Sequence, residues 1–161
     1  MLIPCVFLFW GQEDNLRVFL LHYLSGAGTA AKFSIVSFSG GVSMIILHCM
    51  PEAAWESVRT LPRFGEASVA AEGFVHCSSI EFFWRVAPNF LHETEPLVLL
   101  LIDTDRVPAE IRWEDADHCG RAYPHVYGMI PTDAVSGVLP FLRDKAGNWL
   151  KNPELAGHSD L

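Results

Sequence analysis

Leu97 to Asp103 reads LVLLLID, an extended run whose side chains are apolar whichever way they point. Alternate residues of a strand face opposite sides of a sheet, so such a run needs cover on both sides and belongs at the centre of a sheet. Met44 to Cys49, MIILHC, is a second buried strand, tipped by His48. The sequence IRWE (111 to 114) alternates as a third, with Arg112 and Glu114 opposite Ile111 and Trp113. In YPHVYG (123 to 128) Pro124 forces an extended Tyr123 and Gly128 frees the exit. Val135 to Leu142 supplies a last apolar strand.

Helical spacing intervenes early. Trp55, Val58 and Leu61 recur at three-residue steps through PEAAWESVRTL, with Pro51 in a tolerated first-turn position and Pro62 as the stop. Glu66 to Ala71 reads as a connector or short strand. A second helix is expected from Ser79, presenting Phe82, Phe83, Val86 and Phe90, and Pro88 must kink or split it. One helix after each of the first two strands, and strands thereafter, is an α+β order.

Glu72 to Glu81, EGFVHCSSIE, joins these halves. On a strand Phe74, His76 and Ser78 share one face and Val75 and Cys77 the other, so one face is chemical and one is packing. Ser78 followed by Glu81 reads as a capping box, which satisfies backbone donors of the first helical turn. The same spot gathers N–H groups and an imidazole, a combination suited to a phosphate-bearing ligand.

A chain of 161 residues, half of them apolar, can bury the core of one domain. Residues 1 to 43 carry Arg17 and Lys32 against Glu13 and Asp14, so the whole net charge of −8 falls in residues 44 to 161. That first segment is either an added layer, with a short helix at 16 to 24 and a strand at 32 to 38, or a start assigned too early, with Met44 the true first residue. The domain proper is expected over 44 to 145 and a loose polar tail over 146 to 161. The acidic balance argues against bulk nucleic-acid binding, which needs a basic footprint. No apolar run reaches the length of a membrane span, and the opening segment lacks the basic region of a signal peptide. The four cysteines do not form paired short spacings, so a cytoplasmic protein with reduced thiols is the expectation.

The chemistry-bearing residues are His48, His76 and His125, candidates for catalysis, and Ser78, Tyr127, Arg112 and Glu114, candidates for ligand contact. Two imidazoles across a cleft can bond ribose hydroxyls or a phosphate, one acting as a general acid. Tyr123, His125 and Tyr127 share a strand face that could stack a planar base. Each also has a structural reading: a satisfied core histidine, a packed rim tyrosine, an Arg112–Glu114 ion pair. Three His-Cys dipeptides (48–49, 76–77, 118–119) raise the idea of zinc, but on a strand only one side chain of each pair faces a common site, so no metal is assigned. Cys77 is a poor nucleophile for the same reason, being turned toward the core.

The runs ILHCMPEAAW, SVAAEGFVHCS, LVLLLID, IRWE and YPHVYGMIPTDAV together resemble the small bacterial family known as the domain of unknown function 952, over about residues 45 to 142. The pieces GF-x-HCS and PH-x-YG carry most of that likeness. The resemblance implies an ADP-ribosyltransferase-like fold, a mixed split β-sheet with two or three helices around a cleft that holds NAD in active relatives. It places His48 where those relatives hold a ribose of the dinucleotide. His76 and Ser78 fall on the second strand's polar positions, and His125 and Tyr127 on the later motif. Glu114 matches by residue type alone the late glutamate that stabilises an oxocarbenium ion. The function implied is binding of NAD, ADP-ribose or a related nucleotide, with ADP-ribosyl transfer or glycosidic cleavage as the reaction. The alternative is a non-catalytic ligand-binding or interaction module on the same fold.

Overall fold

The computed structural model describes residues 6–9, 17–20 and 43–161 apart from 117 and 119. The chain divides into two compact units, Met1–Ser43 and Met44–Leu161. In the first, β1 (Val6–Phe9) and β2 (Arg17–Leu20) pair antiparallel. Residues 17 to 20 are thus extended rather than helical, as the branched Val18 beside aromatic Phe19 favours. The strand expected over 32 to 38 lies outside the described residues.

The second unit runs β3 (Ile45–Pro51), α1 (Glu52–Val58), β4 (Arg63–Phe64), α2 (Glu66–Glu72), β5 (Val75–His76), β6 (Ser78–Ser79) and α3 (Phe83–Val86). It continues with a 3-10 turn at Ala87–Phe90, then β7 (Leu97–Asp103), β8 (Glu110–Glu114), β9 (Tyr123–Tyr127), β10 (Ile130–Pro131) and β11 (Val135–Pro140). These strands form a four-stranded sheet β11-β7-β3-β6, a three-stranded sheet β5-β9-β8 and a short β10-β4 pair. The fold is α+β with a split sheet. Every pairing among the described residues is antiparallel, so the sheet is not the mixed one expected. The reason lies in the connections: each strand meets its neighbour running the other way, without the return crossover that a parallel pair requires.

β7 lies between β11 and β3, and its alternation feeds two separate cores. Val98, Leu100 and Ile102 pack with Trp55, Val75, Val126 and Ile130, while Leu97 and Leu99 pack with Ile80, Phe83, Phe141 and Leu155. The run is apolar on both faces because both faces are covered.

The sheet splits at Cys77. β5 pairs with β9, the Cys77 N–H donates to the Pro124 carbonyl at 2.9 Å, and Ser78 and Ser79 then pair with Leu47 and Ile46 of β3. One extended segment therefore serves two sheets, and the gap between them opens beside it.

Local expectations are revised at four places. Residues 66–72 form a helix rather than a connector, bounded by Gly65 and Gly73, which both adopt positive φ (93° and 86°) that a side chain would resist. Gly65 is also close-packed: a Cβ there would lie 2.7 Å from a methyl of Val75. α1 stops at Val58, and Leu61 beyond it is exposed instead of extending the buried stripe. No capping box forms: α3 has Phe82 as its N-cap with no side-chain cap, Ser79 accepts from the Phe82 N–H at 3.3 Å in the turn before it, Ser78 donates to the Ser79 carbonyl, and Glu81 bonds His158. The tail expected to be loose is packed: Asn152 and Leu155 are each 2 % exposed, and the Asn152 amide donates to the Pro140 carbonyl at 2.9 Å. The compact unit accordingly continues through residue 161. No helix among the described residues is long and apolar enough to cross a membrane.

Candidate functional site

A trough of about 590 Å³ lies where the two sheets part. One wall comes from β3 and the α3 region, through Leu47, His48, Phe83, Arg85, Val86 and Phe90. The other comes from β5, β8 and β9, through His76, Glu114, Tyr123 and His125. Strand alternation explains the second wall, since Val75 and Val126 face the core and so turn their neighbours His76 and His125 the other way. Those two residues are directly paired across the β5–β9 ladder, with ring centroids 4.9 Å apart and edge to face. Phe74, on the same strand face, stacks on His125 at 4.3 Å and meets His76 edge-on at 4.8 Å.

Each imidazole is tied through one nitrogen to an acceptor. His125 Nδ1 lies 2.8 Å from Glu114 Oε2, which also accepts from the Tyr127 hydroxyl at 2.9 Å. His76 Nε2 lies 2.7 Å from Glu72 Oε2. His48 Nδ1 lies 2.8 Å from the His76 carbonyl. Carboxylates and carbonyls only accept, so the bonded nitrogen carries the proton in all three rings. In the neutral form the other nitrogen, Nε2 of His48 and His125 and Nδ1 of His76, is left as a lone-pair acceptor. The His48 bond replaces a ladder contact: β3 and the 75–79 segment part after the Leu47–Ser78 pair, and the ring reaches the carbonyl that the strand no longer meets.

The electrostatics follow from these bonds. Hydrogen bonds from His125 and Tyr127 hold the Glu114 carboxyl below its ordinary value, and Arg112 contributes in the same direction. Burial lowers the His48 imidazole, partly offset by its bond to His76. Its native pKa lies below its unfolded value near 6.5, so as pH falls the unfolded chain takes up that proton first. Its contribution to stability is complete above about pH 6.5 and is lost below it, at no more than about 1.4 kcal/mol per pH unit. Urea unfolding at about pH 7.5 and about pH 5.5 should show a shallower acid limb in His48→Gln than in the wild type; equal slopes would show that His48 does not titrate with folding.

Of the residues singled out from sequence, His48, His76, Ser78, Glu114 and His125 all line the trough. Ser78 is 2 % exposed and its proton is given to the Ser79 carbonyl, so it can only accept from a ligand. Tyr127 and Arg112 lie outside the lining. Arg112 sits 4.1 Å over the Tyr127 ring and bonds Glu110 at 2.8 Å, not Glu114, while Phe74 lies 5.3 Å from that ring. Tyr127 therefore offers no face to a base inside the trough, whose aromatic lining is Tyr123 on one wall and Phe83 and Phe90 on the other. Cys77 borders the trough but is 7 % exposed, and burial pushes its thiol far above the ordinary range, against a nucleophilic role.

Arg85, Asn89 and Ser68 also line the trough and were not singled out from sequence. For Arg85 a signal existed: it is the one charged residue in FFWRVAPNF, an otherwise apolar segment. Among the described residues no group of three or more His, Cys, Asp or Glu side chains is arranged to hold a metal ion. Cys119 lies outside the described residues.

The model of the family described as Protein of unknown function (DUF952) matches residues 49–138. Among solved structures, the chain is similar to the crystal structure of protein CC0527 from Caulobacter crescentus, with 26% identity, a TM-score of 0.61, and coverage of 70% of this chain and 98% of that one. A double mutant of the same Caulobacter crescentus protein matches with a TM-score of 0.60 at 26% identity, over 70% of this chain and 98% of that one. No curated protein matches the chain.

Proposed function

Given that this chain belongs to the DUF952 family, we propose that its trough binds a ribose-bearing nucleotide, NAD, ADP-ribose or a relative, on an ADP-ribosyltransferase-like version of the split α+β fold. The observation that carries the reading is the donor and acceptor set on the trough's two walls. Three imidazoles with fixed protonated nitrogens, together with the Glu114 carboxylate, converge with an aromatic ring on one cavity. Neutral imidazole nitrogens and a carboxylate accept from sugar hydroxyls, and Tyr123 gives a planar base a face. The volume is of the order that a small-molecule site requires, roughly 300–1,000 Å³.

The reaction that fits this set is cleavage or transfer at the ribose anomeric carbon. Glu114 would face the positive charge that develops as the glycosidic bond breaks, and His125 would move a proton. A cytoplasmic location belongs to the same reading, supported by Cys49 and Cys77 as free thiols.

Thermal shift with NAD, ADP-ribose and nucleoside phosphates tests the binding, since a ligand of the native state raises the melting temperature. Stabilisation by at least one of them, lost in His48→Ala and His76→Ala, is the expected result. No shift with any would sink the reading. Incubation with NAD and chromatography for released nicotinamide separates enzyme from module: stabilisation without nicotinamide release assigns the trough to binding alone.

A further inference from the structure

The trough is electrically asymmetric. Its β8–β9 wall carries the Glu114 carboxylate, tied to His125 and Tyr127. Its α3 wall carries Arg85, the only Lys or Arg among the lining residues. Within this lining that side chain alone attracts an anion, and its place on one wall fixes which end of the ligand goes there.

Arg85 is also prepositioned. Its Nε donates to a backbone oxygen of Leu161 at 3.1 Å, and its guanidinium carbon lies 4.1 Å over the Trp84 ring. The Trp84 indole N–H donates to the same oxygen at 3.1 Å, so the arginine and the ring beneath it share one anchor. The hydrogen bond engages the nitrogen along the chain and leaves the fork of terminal nitrogens, the pair that grips two phosphate oxygens at once. Stacking on an aromatic face lowers the freedom lost when that fork is engaged.

We propose that Arg85 is the phosphate anchor of the trough, so that a nucleotide binds with its phosphate toward α3 and its ribose hydroxyls toward Glu114 and His125. The inference rests on the nucleotide reading above and adds to it the class of ligand, a nucleoside phosphate rather than a nucleoside, and its direction. The glutamate strengthens the orientation, because a phosphate placed at the β8–β9 wall would meet a carboxylate held ionised by its hydrogen bonds.

The test compares adenosine, AMP and ADP-ribose by isothermal titration with the full chain, in wild type, Arg85→Gln and Arg85→Lys. In the wild type AMP and ADP-ribose should bind about tenfold or more tighter than adenosine, as a charge-assisted bidentate contact predicts. Added salt should erode that advantage. In Arg85→Gln the advantage should vanish while adenosine affinity is retained, and Arg85→Lys should keep part of it as a point charge without the fork. The lysine variant and the wild-type salt series keep the inference open to refutation even if the glutamine variant folds poorly. Equal wild-type affinities for adenosine and AMP, or a phosphate preference that survives Arg85→Gln, would overturn the anchor and leave ribose binding in place. Binding of none of the three would overturn both.

Discussion

Truncation of Phe83 to alanine is expected to cost about 3–5 kcal/mol of folding stability, the range of buried phenylalanine deletions whose cavity cannot collapse. Phe83 is 1 % exposed and among the largest fully buried side chains. Its ring meets Trp149 edge-on at 5.0 Å and Phe141 at 6.2 Å, so its removal opens a gap between α3 and the segment that follows β11. Because Phe83 also lines the trough, the gap would merge with the proposed ligand site. Urea denaturation measures the loss, and Phe83→Leu, which keeps most of the volume, should recover a large part of it. A loss below about 1 kcal/mol would mean that the neighbours close the space and that α3 is a yielding wall rather than a rigid one.

Glu114→Gln is expected to weaken ADP-ribose binding by about tenfold or more, even though it is nearly isosteric. The carboxylate oxygen Oε2 receives both the His125 Nδ1–H and the Tyr127 hydroxyl, at 2.8 and 2.9 Å. A carboxamide oxygen in the same place can still accept from both partners, but without the carboxylate's charge both bonds weaken and the ligand meets a neutral acceptor. His125 is 5 % exposed, and with a weaker acceptor its proton should redistribute between the two ring nitrogens. Nitrogen-resolved NMR of the histidine rings reads this directly: His125 should leave the Nδ1–H tautomer in Glu114→Gln and keep it in Arg112→Gln. Arg112→Gln is the control, since that guanidinium engages Glu110 and the Tyr127 ring outside the trough, and its affinity should remain within about twofold of wild type, the scale of an exposed ion pair. An unchanged tautomer together with unchanged affinity in Glu114→Gln would remove Glu114 from the site.

The difference between Glu114 and Arg112 shows where sequence reasoning runs out. Alternation puts both on one face of β8, and that is as far as a period of two can go. Which of them reaches the trough depends on β9. Glu114 lies opposite Tyr123 in the ladder and Arg112 opposite His125, yet the long Glu114 side chain bonds His125 and Arg112 folds over Tyr127. Such diagonal contacts are set by side-chain length and direction on a twisted sheet and leave no trace in residue spacing. The helix at 66–72 was hidden for another reason: seven residues with one core-packing apolar side chain, Val69, are too short to display a period, and only the flanking glycines marked its ends.

The residue pattern by itself determined the central place of Leu97–Asp103, the buried strand that carries His48, though that strand runs on to Pro51 rather than stopping at the histidine, the division of the 74–78 segment into a packing face and a chemical face, and the α+β class. Burial of apolar side chains at a period of two leaves little choice in these matters, because a one-residue slip would turn every one of them to the wrong side. Tertiary structure alone decided that the segment leaves one sheet for the other at Cys77, that the sheets are antiparallel throughout the described residues, and that Arg85 joins the histidines while Tyr127 does not. Those outcomes depend on which strands meet across about 45 residues of intervening chain, and pairing over such a span is fixed by the packing of whole layers rather than by any local run of residues.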